Sequence, residues 1–379
     1  MSKKIRVALL FGGRSAEHEI SRISALAILR NLDPKKYEVI PIAIERNGRW
    51  LLQDAKRLGK SAKEALPVYT NAPEVLLSPK EGSQSLVPVG SRAKSNYAFD
   101  VVIPMLHGPM GEDGTIQGLL ELLGVPYVGC GVLSSAVGMD KDVAYRLAHE
   151  SGITIAAYKV VRRWQWESGG PRWRENLKQE IGERMNWPVF VKPTRLGSSV
   201  GISKVKSAEA FMAACQEALR YDDKIIIQKA VDAREIECAV LGDSEEVFVA
   251  APGEVIPKHE FYSYEAKYLD PDGAVLKIPA DLTPKQAEQV KNLAQRSFLA
   301  FDCEGMARVD FLLDRNSSIF YFSEINTIPG FTSISMYPKM MEASGIPYPK
   351  LLDRLIALAL KRKARDKKKA LTYKPKHDP

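Results

Sequence analysis

Between residues 306 and 335, apolar residues alternate with polar ones on both sides of a short polar turn, Arg315-Asn316-Ser317-Ser318. A period of two around such a turn predicts a pair of β-strands. Side chains two apart on a strand share a face, so Arg308 sides with Asp310 and Glu324 with Asn326. A turn centred on Ser317 sets Asp310 opposite Glu324 and Arg308 opposite Asn326. Met306, Leu312, Phe320 and Phe322 are expected to border this face and half-bury its carboxylates. Opposed carboxylates destabilise a sheet unless a cation lies between them, and a buried unpaired carboxylate is costly. Two carboxylates and an amide oxygen make a hard donor set suited to magnesium, and an arginine beside them suits phosphate. The plain alternative is a polar face turned to water; the opposed charges favour the metal site.

The rest of the chain divides by texture. Residues 5–11 form an apolar run read as a buried strand, followed by Gly12-Gly13-Arg14-Ser15-Ala16 and a helical pattern over 17–32. Strands at 39–44 and 101–106, a helix at 115–123 and a strand near Tyr127 complete an open parallel α/β domain reaching residue 139. A strand, a glycine turn and a helix gather free amides and the positive end of a helix dipole. Glu17 sits at that helix start, either as an ordinary helix-start carboxylate or as the holder of a substrate ammonium. His107 opens the loop 107–115 at a strand's carboxyl end, where ligands bind in such sheets; taken alone it reads as a satisfied structural histidine.

From residue 140 the pattern changes to a helix over 141–151, a strand over 158–163, and a surface excursion at Gly169-Gly170-Pro171. Lys192 lies on a strand that leads into Thr194-Arg195-Leu196-Gly197-Ser198-Ser199-Val200-Gly201. Such a loop brings amides and hydroxyls up to phosphate oxygens, although a plain hairpin loop has the same composition. A helix over 208–221 and strands over 224–229 and 235–241 follow. The long stretch 252–280, with His259, Tyr262, Tyr264, Lys267 and Tyr268, reads as a lid. Helices at 284–301 and 349–360 flank the organising hairpin. Two weaker motifs fail: Leu58-Gly59-Lys60-Ser61 has Asp54 where a phosphate loop needs its first glycine, and Gly129-Cys130-Gly131 lacks a third glycine.

Composition alters the picture little. The 379 residues are 45% hydrophobic and 26% charged, ordinary for a globular protein of two or three domains. The net charge of +8 would suggest nucleic acid, but residues 361–379 alone hold nine Lys/Arg and two Asp. That tail is expected to be disordered and solubilising, with no nucleic-acid partner. Cys130, Cys215, Cys238 and Cys303 are far apart, which fits a reducing compartment and neither a zinc site nor a disulfide framework. No apolar run suits a signal peptide or a membrane span, so a cytoplasmic enzyme is expected.

The motifs in their order resemble those of the ATP-grasp enzymes, and among them the D-alanine–D-alanine ligases. The resemblance covers residues 4–361 and rests on Gly-Gly-Arg-Ser-Ala-Glu-His-Glu-Ile-Ser (12–21), Leu-His-Gly-Pro-Met-Gly-Glu-Asp-Gly-Thr (106–115) and Met-Asp-Lys (139–141). It continues with Val-Lys-Pro and Gly-Ser-Ser-Val-Gly (191–201), Glu-Ala-Lys-Tyr (265–268), Ala-Arg-Val-Asp (307–310) and Glu-Ile-Asn-Thr-Ile-Pro-Gly-Phe-Thr (324–332). It implies a three-domain fold: an N-terminal substrate domain (1–139), a central domain (140–228), and a C-terminal domain (229–361) bearing the lid, with 362–379 as the tail.

The same resemblance implies site roles. ATP would lie between the last two domains, with Lys141, Lys192 and Ser198 at its phosphates and Gln228, Lys229, Val231 and Glu235 around adenine and ribose. Many relatives carry glutamate where this chain has Gln228, so base preference is open. Asp310, Glu324 and Asn326 would hold two Mg2+ or Mn2+ ions, and a monovalent cation is a further cofactor left open. Lys267 would close over the phosphates, Glu17 would hold the first D-alanine's ammonium with His107 nearby, and Arg308 with the Gly330 amide would form the oxyanion site. Ser198 and Tyr268 would position the lid and the second D-alanine, and Ser335 would hold that substrate's carboxylate. The implied activity is ATP-dependent formation of D-alanyl-D-alanine through a D-alanyl phosphate, by a homodimer. Two alternatives stay open: a ligase that accepts D-lactate or D-serine, and a non-catalytic nucleotide- or nucleic-acid-binding protein.

Overall fold

A computed structural model describes residues 3–61, 63–78, 85–89, 97–258 and 273–370. Lys267 and Tyr268, with residues 259–272 of the expected lid, lie outside the described residues.

The chain begins with β1 (Ile5–Gly12), α1 (His18–Asn31), β2 (Tyr37–Ile44), β3 (Trp50–Leu52), α2 (Ala55–Ser61), β4 (Val75–Leu77), β5 (Ser85–Pro88), β6 (Tyr97–Ala98), β7 (Val101–Met105), α3 (Thr115–Leu122) and α4 (Val132–Met139). Strands β2, β1 and β7 pair in parallel, with β3 added antiparallel at the edge. Parallel strands covered on both faces bury every residue, and Val7 to Phe11 are all fully buried. The strand expected near Tyr127 reduces to one bridge with Val102.

Next come α5 (Lys141–Glu150), β8 (Tyr158–Arg162), α6 (Arg163–Ser168), α7 (Gly170–Met185), β9 (Val189–Pro193), β10 (Ser203–Val205), α8 (Phe211–Leu219) and β11 (Lys224–Lys229). The four strands form an antiparallel sheet in the order β10-β9-β11-β8. The surface excursion expected at Gly169-Gly170-Pro171 is instead the joint between two helices. Proline at the first turn of α7 starts that helix, because its missing N–H would be unpaired there anyway. The helix expected over 208–221 opens as a short 3-10 turn and ends at Leu219.

The last region holds β12 (Ala233–Gly242), β13 (Val247–Val249), β14 (Gly253–Pro257), β15 (Ala274–Lys277), α9 (Pro284–Ala300), β16 (Gly305–Asp314), β17 (Phe320–Asn326), α10 (Met336–Ala343) and α11 (Tyr348–Asp366). Its sheet runs β15-β14-β12-β16-β17, with β13 also on β12. The described ends of the expected lid are thus two paired strands, β14 and β15.

The β16–β17 register changes part-way along the ladder. From the turn outward Leu313 faces Phe320 and Phe311 faces Phe322; then a bulge shifts the count, and Asp310 faces Glu324. Unbroken pairing would have put Glu324 opposite Val309 on the buried side. The extra residue, Ser323, returns Glu324 to the face of Asp310. The register at the carboxylates therefore agrees with expectation, but the neighbours do not. Phe320 and Phe322, expected beside the carboxylates, lie on the opposite face, where both pack edge-on against Phe311. Burying each phenylalanine there contributes roughly 1.5–3 kcal/mol.

Helix α11 also departs from expectation, because it continues past residue 361 to Asp366. Arg362 donates to the carbonyls of Gly129 (2.7 Å) and Tyr127 (2.7 Å) and stacks 4.1 Å over the Tyr127 ring. Arg365 pairs with Glu304 at 2.6 Å. The start of the supposed tail is a tether between the first region and the last.

Candidate active site

Strands β16 and β17 carry the first half of the site. Arg308 forks onto Asp310 through Nε (2.8 Å) and Nη2 (2.6 Å), and its Nε also lies 3.0 Å from Glu237 on β12. Asn326 Nδ2 donates to Asp310 at 3.0 Å. Burial disfavours the Arg308 charge, but Asp310 and Glu237 outweigh it and hold the guanidinium firmly protonated. Lys141, the first residue of α5, is buried and lies 3.4 Å from Glu324. Three carboxylates, Asp310, Glu324 and Glu237, thus meet Arg308 and Lys141 on one face. Among the described residues no group of three His, Cys, Asp or Glu side chains converges as a metal cage. The set here is two carboxylates and an amide on one sheet face, hard oxygen donors whose chemistry fits a divalent cation.

The second half is built from loops. Ser198, at the tip of loop 194–201, donates to the buried Glu17 carboxylate. Ser198 and Ser199 both have left-handed backbones, φ 53° and 60°, which non-glycine residues adopt only when held. Gly108 lies so close that a Cβ there would sit 2.3 Å from Glu17 Oε2. Lys141 Nζ donates to the Leu196 carbonyl at 2.9 Å, so the loop reaches both halves.

His107 is buried, with Nδ1 3.1 Å from the Ile328 carbonyl and Nε2 3.1 Å from Ser24 Oγ. Burial opposes its charge, yet Glu112 at 3.6 Å and the nearby Glu17 more than offset this and raise its pKa. Ser24 also accepts from the Phe331 amide at 3.4 Å, joining His107 to the chain after Gly330. Gly330 packs against Ser335, whose Oγ lies 2.7 Å from Thr332 Oγ1 at the start of α10. Lys192 Nζ donates to Gln228 Oε1 at 2.8 Å. A lysine ammonium only donates, which fixes the amide so that Nε2 points the other way, where it is buried with no hydrogen-bond partner among the described residues. Lys229 ends β11, Val231 lies in the link that follows, and Glu235 is within β12.

The family models for "D-ala D-ala ligase N-terminus" and "D-ala D-ala ligase C-terminus" match residues 6–130 and 147–357. This chain belongs to the D-alanine–D-alanine ligase family. The ligase is 53% identical to D-alanine–D-alanine ligase A of Bradyrhizobium diazoefficiens over 96% of both chains. It is 50% identical to D-alanine–D-alanine ligase of Caldicellulosiruptor bescii over 98% of both. Among solved structures, it matches the D-alanine–D-alanine ligase of Coxiella burnetii with a TM-score of 0.82, at 37% identity over 97% of each chain. It also matches the VanG D-Ala:D-Ser ligase of Enterococcus faecalis with a TM-score of 0.80, at 33% identity over 94% of this chain and 100% of that one. The three-domain ATP-grasp fold class expected from sequence agrees with these neighbours.

Sequence reasoning missed Ser24, Glu112 and Glu237. Glu237 and Asp310 are cross-strand partners 73 positions apart in sequence, and only the β12–β16 pairing unites them. Among the described residues no helix is long and apolar enough to cross a membrane.

Proposed function

We propose that this chain joins two molecules of D-alanine with ATP, and that the residues above divide the work as follows. A carboxylate resists attack by an amine because its oxygen is a poor leaving group. An oxygen of the first D-alanine's carboxylate attacks the γ-phosphorus of ATP, the bond from that phosphorus to the β,γ-bridging oxygen breaks, and ADP is formed, so the carboxyl group now carries phosphate as a good leaving group. The second D-alanine's amine then attacks the carbonyl carbon, the C–O bond to phosphate breaks, and dipeptide, ADP and phosphate leave.

Glu17 holds the first D-alanine's ammonium, with His107 fixed behind it by Ser24 and Ile328. Lys141, Lys192 and Ser198 bind phosphate oxygens, and Gln228, Lys229, Val231 and Glu235 surround the nucleoside. Asp310, Glu324 and Asn326 would hold Mg2+ or Mn2+, which would supply neutralisation of phosphate charge. Arg308 and the Gly330 amide face the oxyanion, and Ser335 with the start of α10 takes the second carboxylate. Lys267 and Tyr268 act from the lid, which keeps water from the acylphosphate. The domains divide at 1–139, 140–228 and 229–361. The enzyme is a cytoplasmic homodimer, for which exposed Leu119, Leu122 and Leu133 on the packed helices α3 and α4 offer apolar surface.

The opposition of Asp310 and Glu324 beside Arg308 carries this reading. Purified protein with ATP and Mg2+ should release ADP and phosphate with D-alanine and not L-alanine, forming the dipeptide in step. Equal or better turnover with D-serine or D-lactate as second substrate would replace the dipeptide assignment, and no nucleotide turnover would end it.

A further inference from the structure

Behind the loop 194–201 lies a buried ionic cluster that no role above uses. Asp222, in the turn between α8 and β11, is almost fully buried. Its Oδ2 accepts from the Thr194 amide (3.1 Å), the Thr194 hydroxyl (2.9 Å) and the Arg195 amide (2.9 Å). Its Oδ1 accepts from Arg195 Nε at 3.1 Å and from the Lys224 amide at 3.3 Å. Thr194 is gripped from the other side too, because its carbonyl accepts from the Lys141 amide at 3.0 Å.

Lys224 completes the cluster. Its buried Nζ donates to Asp140 (2.7 Å) and Asp142 (3.0 Å). Asp140 is also the N-cap of α5, accepting from the amides of Asp142 and Val143, and Lys141 is that helix's first residue. The acids Asp140, Asp142 and Asp222 are matched by Lys224, Arg195 and Arg146, the last 3.1 Å from Asp142. A cluster balanced in charge has no excess with which to recruit a ligand. It is built to hold chain, and the chain it holds bears the loop that reaches Glu17 and the lysine that reaches Glu324.

We propose that Asp222 and Lys224 are positioning residues for phosphoryl transfer: Asp222 fixes the base of loop 194–201, and Lys224 fixes the helix start that aims Lys141. This rests on the reading that the loop and Lys141 handle ATP phosphates. A rigid base lets the tip keep its left-handed serines over the reacting groups. With the base released, ATP binds less tightly and water enters. Water then attacks the acylphosphate carbonyl in place of the amine, returning D-alanine and phosphate without dipeptide.

Asp222→Asn keeps the size but leaves only one oxygen to accept, and Lys224→Met leaves Asp140 and Asp142 without their shared partner. For each we expect KM for ATP to rise about tenfold, as a displacement near one ångström can do. We expect phosphate released per dipeptide to climb clearly above the parental ratio. A variant that is merely less stable loses active protein while keeping the parental KM and ratio, and that result overturns the proposal. Should neither variant fold, Arg195→Ala removes only the half-exposed arm of the clasp and must move both readouts in the same direction. Lys192→Met run alongside separates the two ideas. If it binds ATP like the parent, the nucleotide placement fails; if it weakens ATP while Asp222→Asn does not, the clasp alone fails.

Discussion

The two halves of the site hold their side chains by opposite means. On β16 and β17 a paired ladder fixes the backbone, and one bulge sets which side chains share the face of Asp310. Arg308, Asp310 and Asn326 then satisfy one another within a few ångströms. Loop 194–201 has no ladder over its tip. It is held at its base by Asp222 and at its tip by Glu17, residues 28 and 181 positions away in sequence. The ladder half should fail only when its own polar groups change, whereas the loop half should fail through distant substitutions.

The largest expected effect is on the ladder half. Asp310→Asn or Glu324→Gln should lower kcat on the order of 10²–10³-fold, the cost of removing a group that stabilises transition-state charge. ADP release under saturating ATP checks this, and near-parental turnover would show that the acidic face is only a polar surface.

The loop half offers a remote counterpart in Gly108→Ala. Gly108 has φ 74°, and its new methyl would collide with Glu17 Oε2. We expect KM for the first D-alanine to rise roughly tenfold to a hundredfold, following the displaced carboxylate. An unchanged KM would remove Glu17 from ammonium binding.

How much of this was legible in the sequence follows from the same contrast. The hairpin could be read because alternation is local, and Lys141 and Lys192 fell where helix and strand patterns put them. What local pattern missed was the bulge at Ser323, which moved Phe320 and Phe322 to the core face. Gly169-Gly170-Pro171 suggested a break because glycine and proline punctuate chains, while proline's tolerance at a helix start was the property that counted. The clasp residues carry no local signal, since only the fold brings Lys224 to Asp140, 84 positions away. The basic end of the chain was read by charge alone, yet Arg362 and Arg365 meet partners on two regions of the fold.

That tether sharpens the comparison on the stability side. Gly129 and Gly305 pack backbone to backbone, so closely that a Cβ on Gly305 would lie 3.1 Å from Gly129 Cα. Arg362 therefore secures the chain beside the first residue of β16. Arg362→Ala leaves two carbonyls without their charged donor and should destabilise by about 2–3 kcal/mol, read from denaturant unfolding. A chain ending at residue 361 should behave at least as badly, and parental stability in both would return these residues to the status of a tail.

The smallest effect is pH dependence. Burial alone would raise the pKa values of Asp142 and Asp222, but Lys224 and Arg146 for the first, and Arg195 and Thr194 for the second, hold both below the ordinary value. Carboxyls lowered on folding stabilise the protein above their unfolded value of about 3.9, and that contribution disappears as pH falls through the folded values. Stability from these groups should therefore be level from neutral pH down to about 5 and decline below about 4, less steeply in Asp222→Asn.

The central claim is that oxygens from two neighbouring strands hold divalent cations against ATP, and manganese binding tests it without any turnover. Electron paramagnetic resonance of Mn2+ titrated with the parent and a non-hydrolysable ATP analogue should show ions immobilised far beyond what the analogue binds alone. Asp310→Asn and Glu324→Gln, folded and still binding the analogue, should lose that immobilised signal. Parental manganese binding in both variants would contradict the account.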